Sequence, residues 1–454
     1  MRVSELEGRR VGLWGAGREA ASVARALTRP AGLVVATDAP ADAAARAAFP
    51  GAEFADGPGA WRALAGCDVV VRSPGISRYR DDVRALAAAG PVLTTATNLW
   101  FAEHGDELVI GVTGTKGKST TAALVHRLVT AAGAHAELAG NIGRPLLDVL
   151  RPATAPDAWV VELSSYQLAD LDRSPRVAVV VNLYREHLDW HGSEARYVAD
   201  KLNLLAHGPR VAVLNGRDER LLARAPADVP RVLFGVPGGY DAPGDGTVVR
   251  DGAVVADLRA TSLLGEHNAL NAAAALTAAE AAGLRPADPQ AALAGFVPLP
   301  HRLQAVARDG GVTFVDDSIS TTPESGVAAL RALAGGPVAL IVGGQDRGQD
   351  YAPLAAAVAE HGAVRAAIGL PATGERALAA IGAAAPTRMA GDLDEAVAAA
   401  RAALDGAGTV LLSPAAPSYG WFRDFEERGE RFLAAALATG ARPVGEAGGV
   451  PQRR

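Results

Sequence analysis

A chain of 454 residues is too long for a single hydrophobic core and implies roughly three domains. Nearly half of its residues are hydrophobic and its formal net charge is -6, which argues against a general nucleic-acid-binding surface. The single cysteine, Cys67, excludes an intramolecular disulfide; the segment after Met1 has no apolar leader, and no run of about 18 apolar residues occurs. The expectation is a soluble, cytoplasmic protein with no membrane insertion and no nucleic-acid partner.

Residues 9–17 read as a strand running into glycines, and Gly15-Ala16-Gly17-Arg18-Glu19-Ala20 has the form G-x-G-x-x-A. A helix follows, then the strand Leu33–Thr37 ending in Asp38, an acidic residue about 20 positions on. Such a pattern is either a dinucleotide-type turn, with Asp38 holding a ribose hydroxyl, or a Rossmann-like turn without catalytic use. The apolar run 68–71 leads into Arg72-Ser73-Pro74-Gly75, a turn at a strand's carboxyl end, where ligands sit in open α/β sheets. Residues 1–105 are expected to form this first α/β domain.

A second domain is expected over 106–297. The apolar strand 107–110 runs into Gly111-Val112-Thr113-Gly114-Thr115-Lys116-Gly117-Lys118-Ser119-Thr120, and a helical pattern continues from Thr121. Strand, glycine-rich loop and helix form the context in which backbone N–H groups cradle nucleotide phosphates. Lys118 would reach the β- and γ-phosphates and Ser119 would place its hydroxyl on Mg²⁺. The full Walker pattern wants a glycine where Val112 stands. Further strands end in Glu162 and Asn182, the second running on to Glu186-His187; carboxylate and imidazole at consecutive strand ends beside a phosphate loop suggest metal and phosphate chemistry. Lysine occurs only at Lys116, Lys118 and Lys201, every other basic residue being arginine. Two of these are in the phosphate loop. A buried lysine can become neutral and nucleophilic, which arginine cannot, so Lys201, on an expected helix 197–205, is marked for chemistry; chance retention of a surface lysine is the plain alternative. A long alanine-rich helix opens at 265–268, with Asn268 and Asn271 on one face, placed to read a base edge or cap the helix.

A third α/β unit is expected over 298–454, closing in a disordered Gly-, Pro- and Arg-rich tail. It carries His301-Arg302, the polar run Asp316 to Pro323, Gly343-Gly344 with Arg347, and Ser413-Pro414 to Gly429. Strands alternating with helices imply mostly parallel sheets throughout.

The order of these motifs resembles the Mur ligases, which build the peptide stem of peptidoglycan, and the likeness covers their three domains end to end. It rests on Gly114 to Thr120, Gly140 to Gly143, Glu162 to Leu168, Asn182 to Asp189, Tyr197 to Lys201, His267-Asn268 with Asn271, Pro300 to Arg302, and Ser413 to Gly429. The branch most similar is the one that adds glutamate to UDP-N-acetylmuramoyl-L-alanine. The resemblance implies a Rossmann-like UDP-binding domain, a P-loop ATPase-type central domain and a Rossmann-like C-terminal domain. It implies transfer of the ATP γ-phosphoryl group to a carboxylate, followed by attack of the amino-acid amine on the acyl phosphate. The cofactors it implies are ATP, two Mg²⁺ ions and a carbamylated lysine. Lys118, Glu162, His187 and Lys201 match its catalytic residues, and Ser119, Glu162, His187 and carbamylated Lys201 would hold the metal. Gly114, Thr115, Lys116, Gly117, Lys118, Ser119, Thr120, Asn268, Asn271 and Arg302 would bind ATP. Gly17, Arg18, Asp38, Ser73, Gly75, Asn141 and Gln167 would bind the UDP-sugar. Asp317, Ser318, Ile319, Thr321, Arg347, Ser418 and Phe425 match the amino-acid pocket.

One departure bears on stereochemistry. D-glutamate-adding members carry Asp-Ser-Lys-Ala-Thr-Asn where this chain has Asp317-Ser318-Ile319-Ser320-Thr321-Thr322. Loss of that lysine from an unchanged pocket would remove a charge-assisted bond worth roughly 1.5–3 kcal/mol. The run that continues into Pro323-Glu324 resembles the smaller branch that adds L-glutamate, whose product a downstream epimerase inverts. L-glutamate is therefore the expected substrate, with a D-glutamate ligase of altered pocket as the alternative.

Overall fold

The computed structural model describes residues 1–261, 263, 265–296 and 300–444. They divide into two compact units, one of residues 1–261 and 266–296, the other taking in the residues from Pro300 to Val444. The expected domain junction at 297–298, and the expected disordered tail beyond Val444, lie outside the described residues.

The first unit contains two wholly parallel sheets. Strands β1 (Arg10–Trp14), β2 (Gly32–Thr37), β3 (Glu53–Asp56), β4 (Val69–Arg72) and β5 (Val92–Thr94) align in the order β3-β2-β1-β4-β5. The order reverses between β1 and β4, and Trp14 pairs with Arg72, so the Gly15–Gly17 turn and the Ser73–Gly75 turn emerge side by side. Strands β6 (Val109–Thr113), β7 (Ala136–Gly140), β8 (Ala158–Glu162), β9 (Val177–Val180), β10 (Val211–Asn215) and β11 (Arg231–Phe234) form the second sheet, in the order β11-β10-β9-β6-β8-β7. Every residue of β6 and β8 is buried, the signature of a sheet covered on both faces. Register does the positioning here. Val112 pairs with Glu162 and Thr113 with Val180, so the phosphate loop, Glu162 and the segment beyond β9 leave neighbouring strand ends. A small antiparallel hairpin, β12 (Thr247–Arg250) and β13 (Ala253–Asp257), precedes the buried helix Glu266–Ala281, whose alanines let it pack against the phosphate-loop helix.

Three element boundaries differ from expectation. The strand expected at 107–110 runs from Val109 to Thr113, because both neighbours continue to pair with it. The helix expected from Thr121 begins at Lys118, since Gly117 takes a left-handed conformation (φ +79°) and turns the chain straight into the helix. The helix expected at 197–205 spans Glu194–Leu202; the Ser193 side chain accepts from the Arg196 N–H and starts it early.

The second unit is a seven-stranded sheet of β14 (Gln304–Asp309), β15 (Gly311–Asp316), β16 (Val338–Val342), β17 (Val364–Gly369), β18 (Thr387–Met389), β19 (Ala407–Leu412) and β20 (Arg442–Pro443). The order is β18-β17-β16-β19-β15-β14-β20, parallel except where β14 runs against β15 and β20. Asp316 pairs with Leu412, so the polar run after β15 and the loop after β19 start from adjacent strand ends. The α/β class and the three larger, mostly parallel sheets agree with the sequence reading. No helix among the described residues is long and apolar enough to cross a membrane.

Candidate functional site

The phosphate loop is shaped by a side chain from the next strand end. Asn182 accepts the backbone N–H groups of Thr115 (3.0 Å) and Lys116 (2.9 Å) on its Oδ1 and donates from Nδ2 to the Lys116 carbonyl (2.9 Å). The Thr115 hydroxyl lies 2.6 Å from the Tyr197 hydroxyl and accepts the Tyr184 N–H at 2.9 Å. Gly117 has no room for a side chain: a Cβ there would lie 2.4 Å from Asn271 Oδ1. Asn271 in turn donates to Asn268 Oδ1 at 3.2 Å, so the two asparagines expected to share a helix face do meet, against the loop. Ser119 and Thr120 are buried in the first turn of the helix. Lys116 donates to Glu186 Oε1 at 2.8 Å.

Lys201 is buried, 2% exposed, and donates from Nζ to the Gly114 carbonyl at 2.9 Å. Burial pulls its amine down to about 7, the nearby Lys118 adds to the effect, and Glu186 and Glu162 oppose it. An amine with that value is substantially neutral at neutral pH and can add to CO₂. The helix carrying it is anchored by buried His191, whose Nδ1 lies 2.6 Å from Asp200 and whose Nε2 lies 3.1 Å from the Ser165 hydroxyl; Tyr79 donates to the same Asp200 at 2.7 Å. Lys201 is thus held by fixed neighbours.

Glu162 is fully buried. Its Oε1 accepts from Asn141 Nδ2 at 2.7 Å, and its Oε2 has no hydrogen-bond partner. A buried carboxylate oxygen without a donor is costly and suits a cation. His187 has a left-handed backbone (φ +56°), and Nε2 lies 3.5 Å from Glu186 Oε2. Desolvation pushes this imidazole down to about 4, with Lys118, Lys201 and Lys116 contributing and Glu186 opposing, so it is neutral and offers a lone pair near pH 7. Among the described residues no three His, Cys, Asp or Glu side chains cluster as a metal cage. A hard cation here would draw oxygen from Glu162, a hydroxyl such as Ser119 and phosphate, the donor set that suits Mg²⁺.

At the first sheet, Gly15 (φ +104°) lies against Ser73, whose Oγ would be 2.7 Å from a Cβ at that position. Gly17, Arg18 and Gly75 are exposed on the two turns that leave β1 and β4. Asp38 is ion-paired with Arg80, which also holds Asp82. Gln167, expected to face a sugar, is 2% exposed and committed at both ends: Oε1 accepts from the Ser164 N–H (2.9 Å) and hydroxyl (3.0 Å), and Nε2 donates to Glu19 at 2.7 Å. Burial raises Glu19 to about 7 against the lowering effects of Gln167 and Arg18.

In the second unit, Asp317 is buried, accepts from the Ser413 hydroxyl at 2.8 Å and is raised to about 7 by burial. Ser318 donates to the Phe425 carbonyl at 2.8 Å, and the Ile319 N–H donates to the His301 carbonyl at 3.1 Å. Thr321 is exposed. Ser418 lines a cavity of about 350 Å³ with Gly343, Gly344, Trp421, Phe422 and Arg431. Arg347 lies on the exposed loop after β16, its backbone N–H donating to Gln349. Asn182 and Glu186, which the sequence reading placed at a strand end beside the phosphate loop, hold that loop through Thr115 and Lys116; Arg428 carries site structure to which the sequence reading gave no role.

Comparison with known proteins follows the same lines. Residues 112–279 match the Mur ligase middle domain, and residues 301–416 match the family described as Mur ligase, glutamate ligase domain. A protein of a Micromonospora species named UDP-N-acetylmuramoyl-L-alanine--L-glutamate ligase is 46% identical, over 98% of this chain and 100% of its own length. A protein of the same name from Xanthomonas axonopodis pv. citri is 43% identical over 96% of this chain and 97% of its own. Among solved structures, the MurF ligase from Thermotoga maritima in complex with ADP superposes with a TM-score of 0.61 at 16% identity, over 89% of this chain and 94% of its own, a likeness of fold.

Proposed function

The chain belongs to the Mur ligase family, and on that premise we propose that it uses ATP to join glutamate, in the L form, to the alanine carboxylate of UDP-N-acetylmuramoyl-L-alanine in the cytoplasm. The observation that carries this reading is the end-to-end likeness to relatives bearing that activity's name. The Asp317 to Thr322 run, with Ile319 in place of a lysine, supports the L enantiomer.

A carboxylate is a poor electrophile until one oxygen becomes a leaving group. In the proposed reaction the ATP γ-phosphoryl passes to the alanine carboxylate, the glutamate amine attacks the acyl phosphate, and the tetrahedral intermediate expels phosphate. Little covalent work falls to the protein; positioning and charge neutralisation dominate. The loop from Gly114 to Thr120, preformed by Asn182, would cradle the phosphates, with Lys118 on the β- and γ-groups. Glu162, His187, Ser119 and Lys201 as its carbamate would hold two Mg²⁺, which when bound supply charge neutralisation at the phosphate oxygens. The partnerless oxygen of Glu162 and the neutral amine of Lys201 fit those tasks. Asn268, Asn271 and Arg302 would hold the rest of ATP. The turns carrying Gly17, Arg18, Ser73 and Gly75 would take the UDP moiety, with Asp38 on the ribose and Asn141 toward the sugar. Gln167 would act by fixing Ser164 and Glu19 in place. Asp317, Ser318, Ile319, Thr321, Arg347, Ser418 and Phe425 would form the glutamate pocket. Domain boundaries near 105 and 297 suit this division of labour, and the product would need a downstream epimerase to acquire a D-glutamyl centre.

The test is phosphate release by the purified chain with ATP, Mg²⁺, glutamate and UDP-N-acetylmuramoyl-L-alanine, with the nucleotide product identified by mass. Release is expected only when every component is present. Release that persists without the UDP substrate would overturn the reading.

A further inference from the structure

Arg428 is fully buried within the second unit, and all three of its hydrogen-bond acceptors are neutral oxygens. Nε donates to the Ser318 hydroxyl at 3.0 Å, Nη2 to the Ser318 carbonyl at 2.7 Å, and Nη1 to the Ala416 carbonyl at 3.1 Å. The Ser318 hydroxyl passes the chain on to the Phe425 carbonyl at 2.8 Å. A third loop closes on the same guanidinium: a Cβ on Gly344 would lie 3.1 Å from Arg428 Nη1 and 2.4 Å from the Pro417 carbonyl. The neighbouring residue Ala415 is held at φ +55°, a left-handed backbone that costs a non-glycine residue and persists only where the surroundings over-determine it. The helix bearing Arg428 can approach this closely because the next residue is Gly429, where a Cβ would lie 2.0 Å from His301 Nδ1.

A charged group buried without a directly bonded carboxylate weakens a fold; an apolar residue of similar size there is commonly neutral or stabilising. The planar fork earns its place through geometry, since five fixed donors can reach two loops at once, which a lysine cannot do. The loops joined are those that carry Ser318 and Ile319 on one side and Ser418 on the other, with Phe425 at the head of the helix.

Resting on the glutamate-ligase reading above, we propose that Arg428 is the positioning residue of the amino-acid pocket: its guanidinium sets the spacing of the 317–319 and 416–418 segments, and so the grip on glutamate, without touching the substrate. The consequence is a split in kinetic constants. Arg428→Met in the full-length protein should raise KM for glutamate at least tenfold while KM for ATP and for UDP-N-acetylmuramoyl-L-alanine stays within twofold. Arg428→Lys should behave the same way, because the ammonium retains charge and loses the fork. Arg428→Gln, which keeps one donor group at this position and loses the fork, should give a smaller rise in the same constant and serves where Arg428→Met does not fold. Equal losses for all three substrates, full rescue by Arg428→Lys, or an unchanged glutamate KM would each overturn the proposal. Absence of wild-type turnover with either enantiomer of glutamate would overturn the functional reading and this inference together, whereas wild-type turnover with a uniform loss in the variants would overturn the inference alone.

Discussion

Replacing Lys201 by methionine separates the chemical use of the amine from its effect on the fold. An ordinary lysine is neutral in about one molecule in 3,000 at pH 7, whereas at about 7 the Lys201 amine is neutral in about half. Between about 7 and 10.5 the folded chain binds fewer protons at this group than the unfolded chain does. Stability should therefore rise with pH across that window, and the penalty is complete below about 7; at roughly 1.4 kcal/mol per pH unit it is of the order of 4–5 kcal/mol. Lys201→Met removes this penalty and keeps the apolar bulk, but leaves the Gly114 carbonyl without its donor, a loss of about 1–3 kcal/mol. The variant should then be more stable than the parent at pH 7 by about 2 kcal/mol, with the advantage gone by pH 10. Urea unfolding at the two pH values in CO₂-free, metal-free buffer, where the amine is free, measures this, and phosphate release measures activity, which should be lost. Lys201→Ala should likewise be inactive and regain part of its turnover with added formate or acetate, which stand in for the carbamate. Full turnover in either variant, or a urea midpoint for Lys201→Met well below the parent at pH 7, would refute the reasoning.

Other substitutions test neighbouring parts of the site. Glu162→Gln keeps the bond with Asn141 in outline but removes the charge on the partnerless oxygen; turnover should fall roughly 10²–10³-fold and half-saturation should move to higher Mg²⁺ in a metal titration. Asn182→Ala removes two acceptances and one donation at the phosphate loop, at about 1 kcal/mol each, so affinity for a non-hydrolysable ATP analogue should drop 10- to 100-fold by calorimetry while UDP-substrate binding holds; an unchanged ATP affinity would contradict the preformed loop. Asp317 is raised from its ordinary value to about 7, so its contribution to stability is fully present below pH 4 and lost as pH rises through 7; Asp317→Asn should flatten that part of the stability profile of the second unit, read as urea midpoints from pH 4 to 7.5.

The phosphate loop was legible because its glycines and lysines answer to local requirements: a left-handed turn at Gly117, close approach of Asn271, and a helix N-terminus at Lys118. Lys201 stood out against a background of arginine, and its burial supplies the physical counterpart. The parallel sheets followed from unbroken apolar runs such as β8, where even Glu162 is enclosed. What could not be read locally depends on partners far along the chain. Asn182 shapes the loop from 66 residues away, and Arg428 reaches Ser318 across 110. Gln167 looked available for a ligand because nothing near it in sequence announces Glu19, 148 residues earlier. Strand and helix ends moved by a few residues for a similar reason: pairing with β8 and β9 extends β6 to Thr113, and the side chain of Ser193 starts its helix early.

The most direct measurement compares L-glutamate with D-glutamate in parallel phosphate-release assays with ATP, Mg²⁺ and UDP-N-acetylmuramoyl-L-alanine, followed by chiral analysis of the glutamate recovered from the product. The L-glutamate assignment requires strong release with that enantiomer alone and an L-glutamyl product. Release confined to D-glutamate would contradict it, and would mean that a pocket with Ile319 in place of the lysine holds the other hand.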